Sequence, residues 1–376
     1  MAAAAADRNP ACEVTLFEKN DHLGAKVIIS GGGRCNVKEA LKNYPRGAKF
    51  LMTAMFRFPP EKVMAWFEEH GVRLKTEKDL RVFPVSDDGK EIVSALEKDL
   101  RRKKVEILFN MAVTKIAKDS EKFKVTTKDG RTFTADAVIL TTGGNAGYDF
   151  AQALGHTITP LGPSLNSLVV AEKWVETLAG VSFEKAKLRL GDYERLGAFV
   201  FTHRGVSGPS AFALSSYAAH ETISEKTPLR LTIDFFPDEK FEAFQRRFLD
   251  LIQKNQQKNL ANFLDIILPK SLCSVVPSLA KIDGSIKAGS LTKENRNVLA
   301  HLLKEFPMTV TGRSGGEEFV TAGGVYLSQI NTNTMESKIC PGLYFAGEIM
   351  DVDGFTGGFN LQASWATGAL AGNSAA

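Results

Sequence analysis

Cysteine is scarce: four residues in 376, at Cys12, Cys35, Cys273 and Cys340. They are too scattered for a disulfide framework, and no C-x-x-C occurs. That excludes a zinc ribbon and an enzyme that relays electrons through a redox dithiol. It points to a reducing compartment, and the expected location is the cytoplasm. The six histidines show no H-x-x-x-H or H-x-x-E-H spacing, so no metal site is expected. No run of about eighteen apolar residues occurs, so no transmembrane helix and no membrane partner are expected. The net charge is only +4, from 47 basic and 43 acidic residues. That excess carries no nucleic-acid footprint. The one basic run, Arg101-Arg102-Lys103-Lys104, reads as the solvated end of a helix, where cations suit the dipole. No carboxylate pair, nucleophile–histidine pair or metal cluster stands out, so no catalytic side chain is assigned.

What is present is 44% hydrophobic and 24% charged, the balance of a globular chain long enough for two or three cores. Residues 14–36, VTLFEKNDHLGAKVIISGGGRCN, are the most informative stretch. A buried strand, 14–17, ends in the acid Glu18. In a nucleotide-binding α/β sheet an acid there accepts hydrogen bonds from a ribose. A second apolar run, 27–29, leads to Gly31, Gly32 and Gly33, whose bare backbone N–H groups a ligand can approach. Arg34 beside them suits a diphosphate. The alanines at 2–6 lack the basic and apolar regions of a signal peptide and read as a helix. Helix, loop at Asn9-Pro10 and strand to Glu18 make the second half of a βαβ unit. The first strand and its G-x-G-x-x-G turn do not precede it, so an N-terminal truncation is expected.

Further along, 39–56 reads as an interrupted helix, and Pro59-Pro60 opens another that Gly71 stops. Short strands follow at 72–75 and 81–84. Residues 89–104 are amphipathic through Ile92, Val93, Leu96 and Leu100. A strand at 105–109 precedes alternating runs at 123–127 and 131–134, joined by Asp129-Gly130, a hairpin signal. The apolar run 137–140 predicts a buried parallel strand ending at Thr141-Thr142-Gly143-Gly144, where α/β sheets bind ligands. From 157 to 190 the texture is β-branched. Strands are expected at 199–202, 229–235 and 308–312. Helices are expected from Ser210, over 238–254, in pieces over 258–282 broken at Pro269 and Pro277, and over 292–304. At the end, 343–348 is a strand, 351–360 a glycine-rich turn and 361–372 a helix rich in small residues. Strand, glycine turn and helix N-terminus receive an anion or a polarised oxygen.

Four motifs together, SGGGRCN at 30–36, FTHRGVSGP at 201–209, EEFVTAGGV at 317–325 and ESKICPGLYFAGEIMDVDGFTGGFNLQ at 336–362, resemble the YhiN/BaiN-type FAD flavoproteins. That group includes aminoacetone-oxidase-like and bile-acid-reductase-like enzymes. The resemblance covers essentially the whole chain. It implies an α/β fold: a discontinuous Rossmann-like FAD-binding domain, 1–155 and 321–376, with an inserted β-barrel-like plus helical region at 156–320. It implies that Glu18 binds the adenosine ribose, with Lys19 and Lys26 nearby. Gly32, Gly33, Arg34, Cys35 and Asn36 lie along the diphosphate and flavin, and Val113 meets adenine through its backbone. Thr142, Gly143 and Gly144 border the cofactor. Gly347, Glu348 and Asp353 serve the ribityl or diphosphate, and Gly357, Gly358, Asn360 and Leu361 the pyrimidine edge of the flavin, where reduction places negative charge.

His203 and Arg204 are candidates to face a small-molecule substrate, or else a loop cap and a surface charge. Cys35 reads as a small buried residue, with a redox role as the alternative. Tyr148 and Asn145 follow the Thr-Gly-Gly turn, and Glu317 and Glu318 have a structural or hinge role. The expected activity is FAD-dependent oxidoreduction, with NAD(P)H or a substrate as electron donor and an enone-like compound or oxygen as acceptor. A tRNA-associated flavoprotein and a cofactor-poor, non-catalytic homologue remain the alternatives.

Overall fold

The computed structural model describes residues 1–28, 43–77, 81–144, 146–314 and 320–376. The chain divides into two compact units, Met1–Pro163 with Phe319–Ala376, and Ser164–Glu318. Among the described residues no helix is long and apolar enough to cross a membrane.

In the first unit the parallel strands form two pairs among the described residues. Thr15–Phe17 lies beside Glu106–Leu108, and Val138–Leu140 beside Leu343–Phe345. Only Leu343–Phe345 is buried throughout; Thr15–Phe17 and Glu106–Leu108 each begin exposed and are partly buried after that, so the strand expected to be buried at 14–17 is not packed from both faces. Leu343 and Phe345 are fully buried, and Leu140 nearly so. A three-stranded antiparallel meander, Val113–Asp119, Lys122–Thr127 and Thr132–Ala135, intervenes in the chain. Its second hairpin turns at Asp129-Gly130 as the sequence predicts, with Gly130 at φ +85°. Leu74–Thr76 and Val82–Pro84 make a separate antiparallel pair.

The helices of this unit follow their caps and apolar spacing. Pro60–Glu69 begins on a proline, as expected. Gly89–Arg102 is capped by Asp88, whose side chain accepts from the Lys90 N–H, and it buries Ile92, Val93 and Leu100. Ala48–Arg57 occupies the later part of the helix expected over 39–56 and buries Phe50, Leu51 and Ala54. The last helix, Gly357–Ala375, starts earlier than 361, because glycines that read as a turn form its first turn. It lies close along the alanine helix Ala2–Arg8. A Cβ at Gly372 would stand 2.3 Å from the Met1 carbonyl oxygen, so only glycine permits the approach.

The basic run at 101–104 closes Gly89–Arg102 as expected, with Arg101, Arg102 and Lys104 exposed, and only Lys103 is drawn inward. Asp99, fully buried in the last turn of Gly89–Arg102, accepts from Arg102 Nη2 at 2.6 Å and from Lys103 Nζ at 2.7 Å. A buried carboxylate needs such partners; Lys103 is drawn in to 12% exposure to supply one, and Arg102 reaches it from the surface at 67%. Burial alone would raise the Asp99 carboxyl. The bonds from Lys103, Arg102 and His70 outweigh it and hold the group below its ordinary value.

The second unit is built on a closed six-stranded barrel. Around it run Leu168–Val170, Gly205–Ser207, Tyr193–Thr202, Ser182–Leu190, Leu229–Asp234 and Phe306–Arg313. Closure leaves no unpaired edge. Alternation sets its lining: Ala186, Leu188 and Leu190 are fully buried, whereas Lys187 and Arg189 face outward. The strand expected over 199–202 begins at Tyr193, because its outer half carries charged Glu194 and Arg195 and escapes an apolar-run reading. Pro209–Tyr217 is buried nearly all round, through Ser210, Ala211, Ala213, Leu214, Ser215 and Ser216. Phe241–Lys254, Leu260–Leu264, Leu272–Ala280 and Lys293–Lys304 complete the unit. Pro277 lies inside Leu272–Ala280 instead of breaking it. It sits in the last turn, where one backbone bond is lost and a buried ring is gained.

Candidate cofactor site

The site is assembled in the first unit, from the ends of its parallel strands. Glu18 directly follows Thr15–Phe17, and its N–H donates to the Leu108 carbonyl at 3.0 Å, continuing the pairing. Its carbonyl in turn accepts from the Met111 N–H at 2.8 Å. That brings the segment leading into Val113 alongside the acid. Oε1 of Glu18 accepts from the Asn20 N–H at 2.9 Å and from Asn20 Nδ2 at 2.8 Å. Among the described residues Oε2 accepts no hydrogen bond, so the carboxylate is fixed by one oxygen and open on the other. Lys19 is exposed beside it.

A second group forms where Val138–Leu140 and Leu343–Phe345 end. Lys26 Nζ donates to Glu348 Oε2 at 2.6 Å, and the Thr321 N–H donates to Glu348 Oε1 at 2.9 Å. Thr321 Oγ1 donates to the Gly144 carbonyl at 3.0 Å. Gly143 is in the left-handed region at φ +75°, and among the described residues Glu348 Oε2 and Lys26 Nζ lie near its missing Cβ, each at 3.8 Å. A Cβ at Gly144 would stand 2.4 Å from Thr321 Oγ1 and 2.5 Å from Glu348 Oε1. The Thr-Gly-Gly motif is thus glycine by packing at 144 and by backbone conformation at 143. Thr142 Oγ1 donates to the Ala146 carbonyl at 2.6 Å, closing the turn. Gly347, also left-handed at φ +75°, donates its N–H to Thr367 Oγ1 at 3.1 Å.

The third group is the turn into the last helix. Asp353 is fully buried, and Arg46 grips it with Nε on Oδ1 and Nη2 on Oδ2, both at 2.5 Å. Its carboxylate holds the turn through Arg46. Asn360 is also turned inward. Its Oδ1 accepts from the Gly354 N–H at 2.9 Å, and its Nδ2 donates to the carbonyls of Gly354 at 3.1 Å and Thr356 at 3.0 Å. Tyr44 donates its phenol to the Phe359 carbonyl at 2.6 Å, and burial pushes that phenol up, so it remains a donor. The helix starts at Gly357-Gly358 with no side-chain cap and no acid in its first turn. Leu361 follows in the first turn and a half, partly buried.

Gly32, Gly33, Arg34, Cys35 and Asn36 lie outside the described residues, as do Asn145, Glu317 and Glu318. His203 and Arg204 belong to the other unit. They form the exposed tip of the hairpin between Tyr193–Thr202 and Gly205–Ser207. Sequence reading passed over Tyr44, Arg46 and Thr321. The charge of Asp353 signalled that a cation must be near, but nothing local named Arg46, 307 residues away.

These features fit an FAD. A strand-end acid keeps one oxygen free for a ribose, a glycine turn leaves room beside a paired acid and ammonium, and a helix presents uncapped N–H groups. They define a Rossmann-type cofactor domain built from the two ends of the chain. The model of the HI0933-like protein Rossmann domain matches residues 1–374, and the chain belongs to this family of YhiN/BaiN-type FAD-dependent oxidoreductases. The 3-dehydro-bile acid delta(4,6)-reductase of Clostridium scindens is 30% identical over 393 aligned positions, covering 100% of this chain and 95% of that protein. The ribosomal RNA dihydrouridine synthase of Escherichia coli is 29% identical over 375 positions, covering 94% of this chain and 90% of its own. That of Haemophilus influenzae is 26% identical over 374 positions, with the same 94% and 90% coverage.

Proposed function

We propose that this chain is an FAD-dependent reductase whose acceptor carries a carbon–carbon double bond conjugated to a carbonyl. The observation that carries the reading is the family match over residues 1–374. The chemistry named for two of the relatives supports the acceptor class. A delta(4,6)-3-dehydro-bile acid and a uracil ring each hold such a double bond, and each named reaction adds two hydrogens.

When bound, FAD supplies two-electron hydride chemistry at its N5. The protein's part is placement. Glu18 holds the adenosine ribose through its open oxygen, and the segment at Val113 meets adenine. Gly143, Gly144 and Gly347 allow close backbone approach, with Glu348 and Lys26 alongside. The N–H groups at Gly357 and Gly358 face the pyrimidine edge and favour the negative charge of the reduced state. Bound there, the flavin would supply hydride transfer from NADH or NADPH to the β-carbon of the acceptor, with the α-carbon taking its proton from water.

The test is anaerobic. The purified chain is loaded with FAD, reduced with NADPH or NADH, and mixed with a cyclic enone, a steroid dienone or a uridine-containing RNA. The expected result is return of the oxidised flavin spectrum together with a saturated product. Failure to take up FAD, or reoxidation by oxygen alone, overturns the proposal. Two of the relatives are named for ribosomal RNA, which favours a second reading with RNA as the acceptor. Turnover of RNA with no turnover of free enones would select it.

A further inference from the structure

We infer that Arg46 is a positioning residue for the flavin-facing turn, acting through Asp353; this rests on the flavin reading above. Residues 351–356 have no regular structure of their own, yet they set where the last helix begins. Their register is fixed from outside. Arg46 forms an isolated antiparallel bridge with Asp353 through the backbone and a two-pronged ion pair through the side chain. The Asn43 carbonyl accepts from the Phe355 N–H at 3.0 Å, and Tyr44 holds the Phe359 carbonyl. Residues 43–46 thus grip the turn at 353, 355 and 359.

The grip is itself anchored. Gly47, left-handed at φ +77°, caps helix Ala48–Arg57, which is rooted in the core by Phe50, Leu51 and Ala54. A Cβ at Gly47 would stand 2.6 Å from Val352 Cγ2, so the two segments pass at contact distance. Side chains fixed to a packed helix place a site more accurately than a free loop does. Asp353 is 0% exposed and Arg46 18%, so solvent cannot replace the pair. A planar fork on a carboxylate sets direction as well as distance, and a lysine cannot reproduce it. Arg46 therefore aims the N–H groups at Gly357 and Gly358 through the turn that it holds.

The experiment compares the wild-type chain with Arg46→Lys, which keeps the charge and loses the fork. A melting curve establishes that the variant is folded. Amide hydrogen exchange is read first, without FAD: exchange over 354–360 is expected to rise about tenfold, with the barrel strands unchanged. FAD titration and redox titration follow. The dissociation constant is expected to rise about tenfold, and the potential of the bound flavin to fall, since misaimed N–H groups stabilise the reduced state less. Unchanged exchange over 354–360 overturns the inference. So does faster exchange with affinity and potential both at the wild-type values. A wild-type chain that takes up no FAD overturns the reading of function instead, and the grip of Arg46 on the turn is then judged by exchange alone.

Discussion

Lys26 and Glu348, 322 residues apart in the chain, are joined by a 2.6 Å ion pair. The pair links the helical segment at 25–28, which follows the first strand, to the short 3-10 helix Gly347–Ile349, which follows the last strand of the same unit. Its two members are not equivalent. Lys26 is 46% exposed and Glu348 12%. Lys26→Ala is therefore expected to cost about 0–1 kcal/mol, the range of solvent-screened pairs. Glu348 also receives the Thr321 N–H at 2.9 Å. Glu348→Ala strands that donor and is expected to cost about 1–3 kcal/mol. Urea unfolding of the two variants measures the difference. Equal costs would show that Glu348 matters only as the partner of Lys26.

Asp99 sets an acid limit on stability. Its folded pKa lies below the ordinary carboxylate value, with burial opposed and outweighed by bonds from Lys103, Arg102 and His70. Such a group contributes stability that is present above its unfolded pKa and is lost as pH falls through its folded pKa. Urea midpoints are therefore expected to drop on acidification below the ordinary carboxylate range of about 4. In Asp99→Asn that part of the drop disappears. At neutral pH the same variant is less stable by about 1–3 kcal/mol, because Lys103, 12% exposed, loses its buried partner and keeps only its ion pair with Asp7.

Much of the cofactor domain was legible because its signals are local. An apolar run ending in an acid marked Glu18. One ending in small residues marked Gly143-Gly144. Asp129-Gly130 between alternating runs marked a hairpin. What stayed hidden depends on distant partners. Nothing near Asp353 in the chain showed that Arg46, 307 residues away, holds its carboxylate. Asp99, on a helix with a charged face, gave no sign that it is buried. The barrel could be anticipated from its β-rich texture. Its strand order, in which Leu168–Val170 joins both Gly205–Ser207 and Phe306–Arg313, leaves no local trace.

The glycines of the Thr-Gly-Gly motif allow a direct test of the packing at 144. Gly144→Ala would press a methyl within 2.5 Å of both Thr321 Oγ1 and Glu348 Oε1. These atoms are tied into the Gly144–Thr321–Glu348 bonds and cannot move without breaking them. A cost of about 1–3 kcal/mol is expected, with weaker FAD uptake. Gly312→Ala is the control, since none of the described residues lies within 4 Å of its missing Cβ. Its expected effect is within about 0.5 kcal/mol. Thermal melts and flavin titration of both variants decide whether crowding at 144, rather than loss of any glycine, is what matters.

Arg204 offers the sharpest separation of stability from function. It sits with His203 at an exposed hairpin tip, and Val206 behind it is fully buried in the barrel. The Arg204 carbonyl is used, accepting from the Val170 N–H at 2.9 Å, but that bond survives any side-chain change. Arg204→Ala is therefore expected to leave the melting midpoint unaltered, within about 0.5 kcal/mol. If Arg204 faces a small-molecule substrate, one of the two readings of this loop in the sequence, the same variant raises KM for a carbonyl-bearing acceptor about tenfold. The reduction step with NADPH then proceeds at the wild-type rate. Steady-state kinetics with an acceptor of the enone class, run beside stopped-flow reduction, separates the two steps. An unchanged KM would return Arg204 to the role of a surface charge.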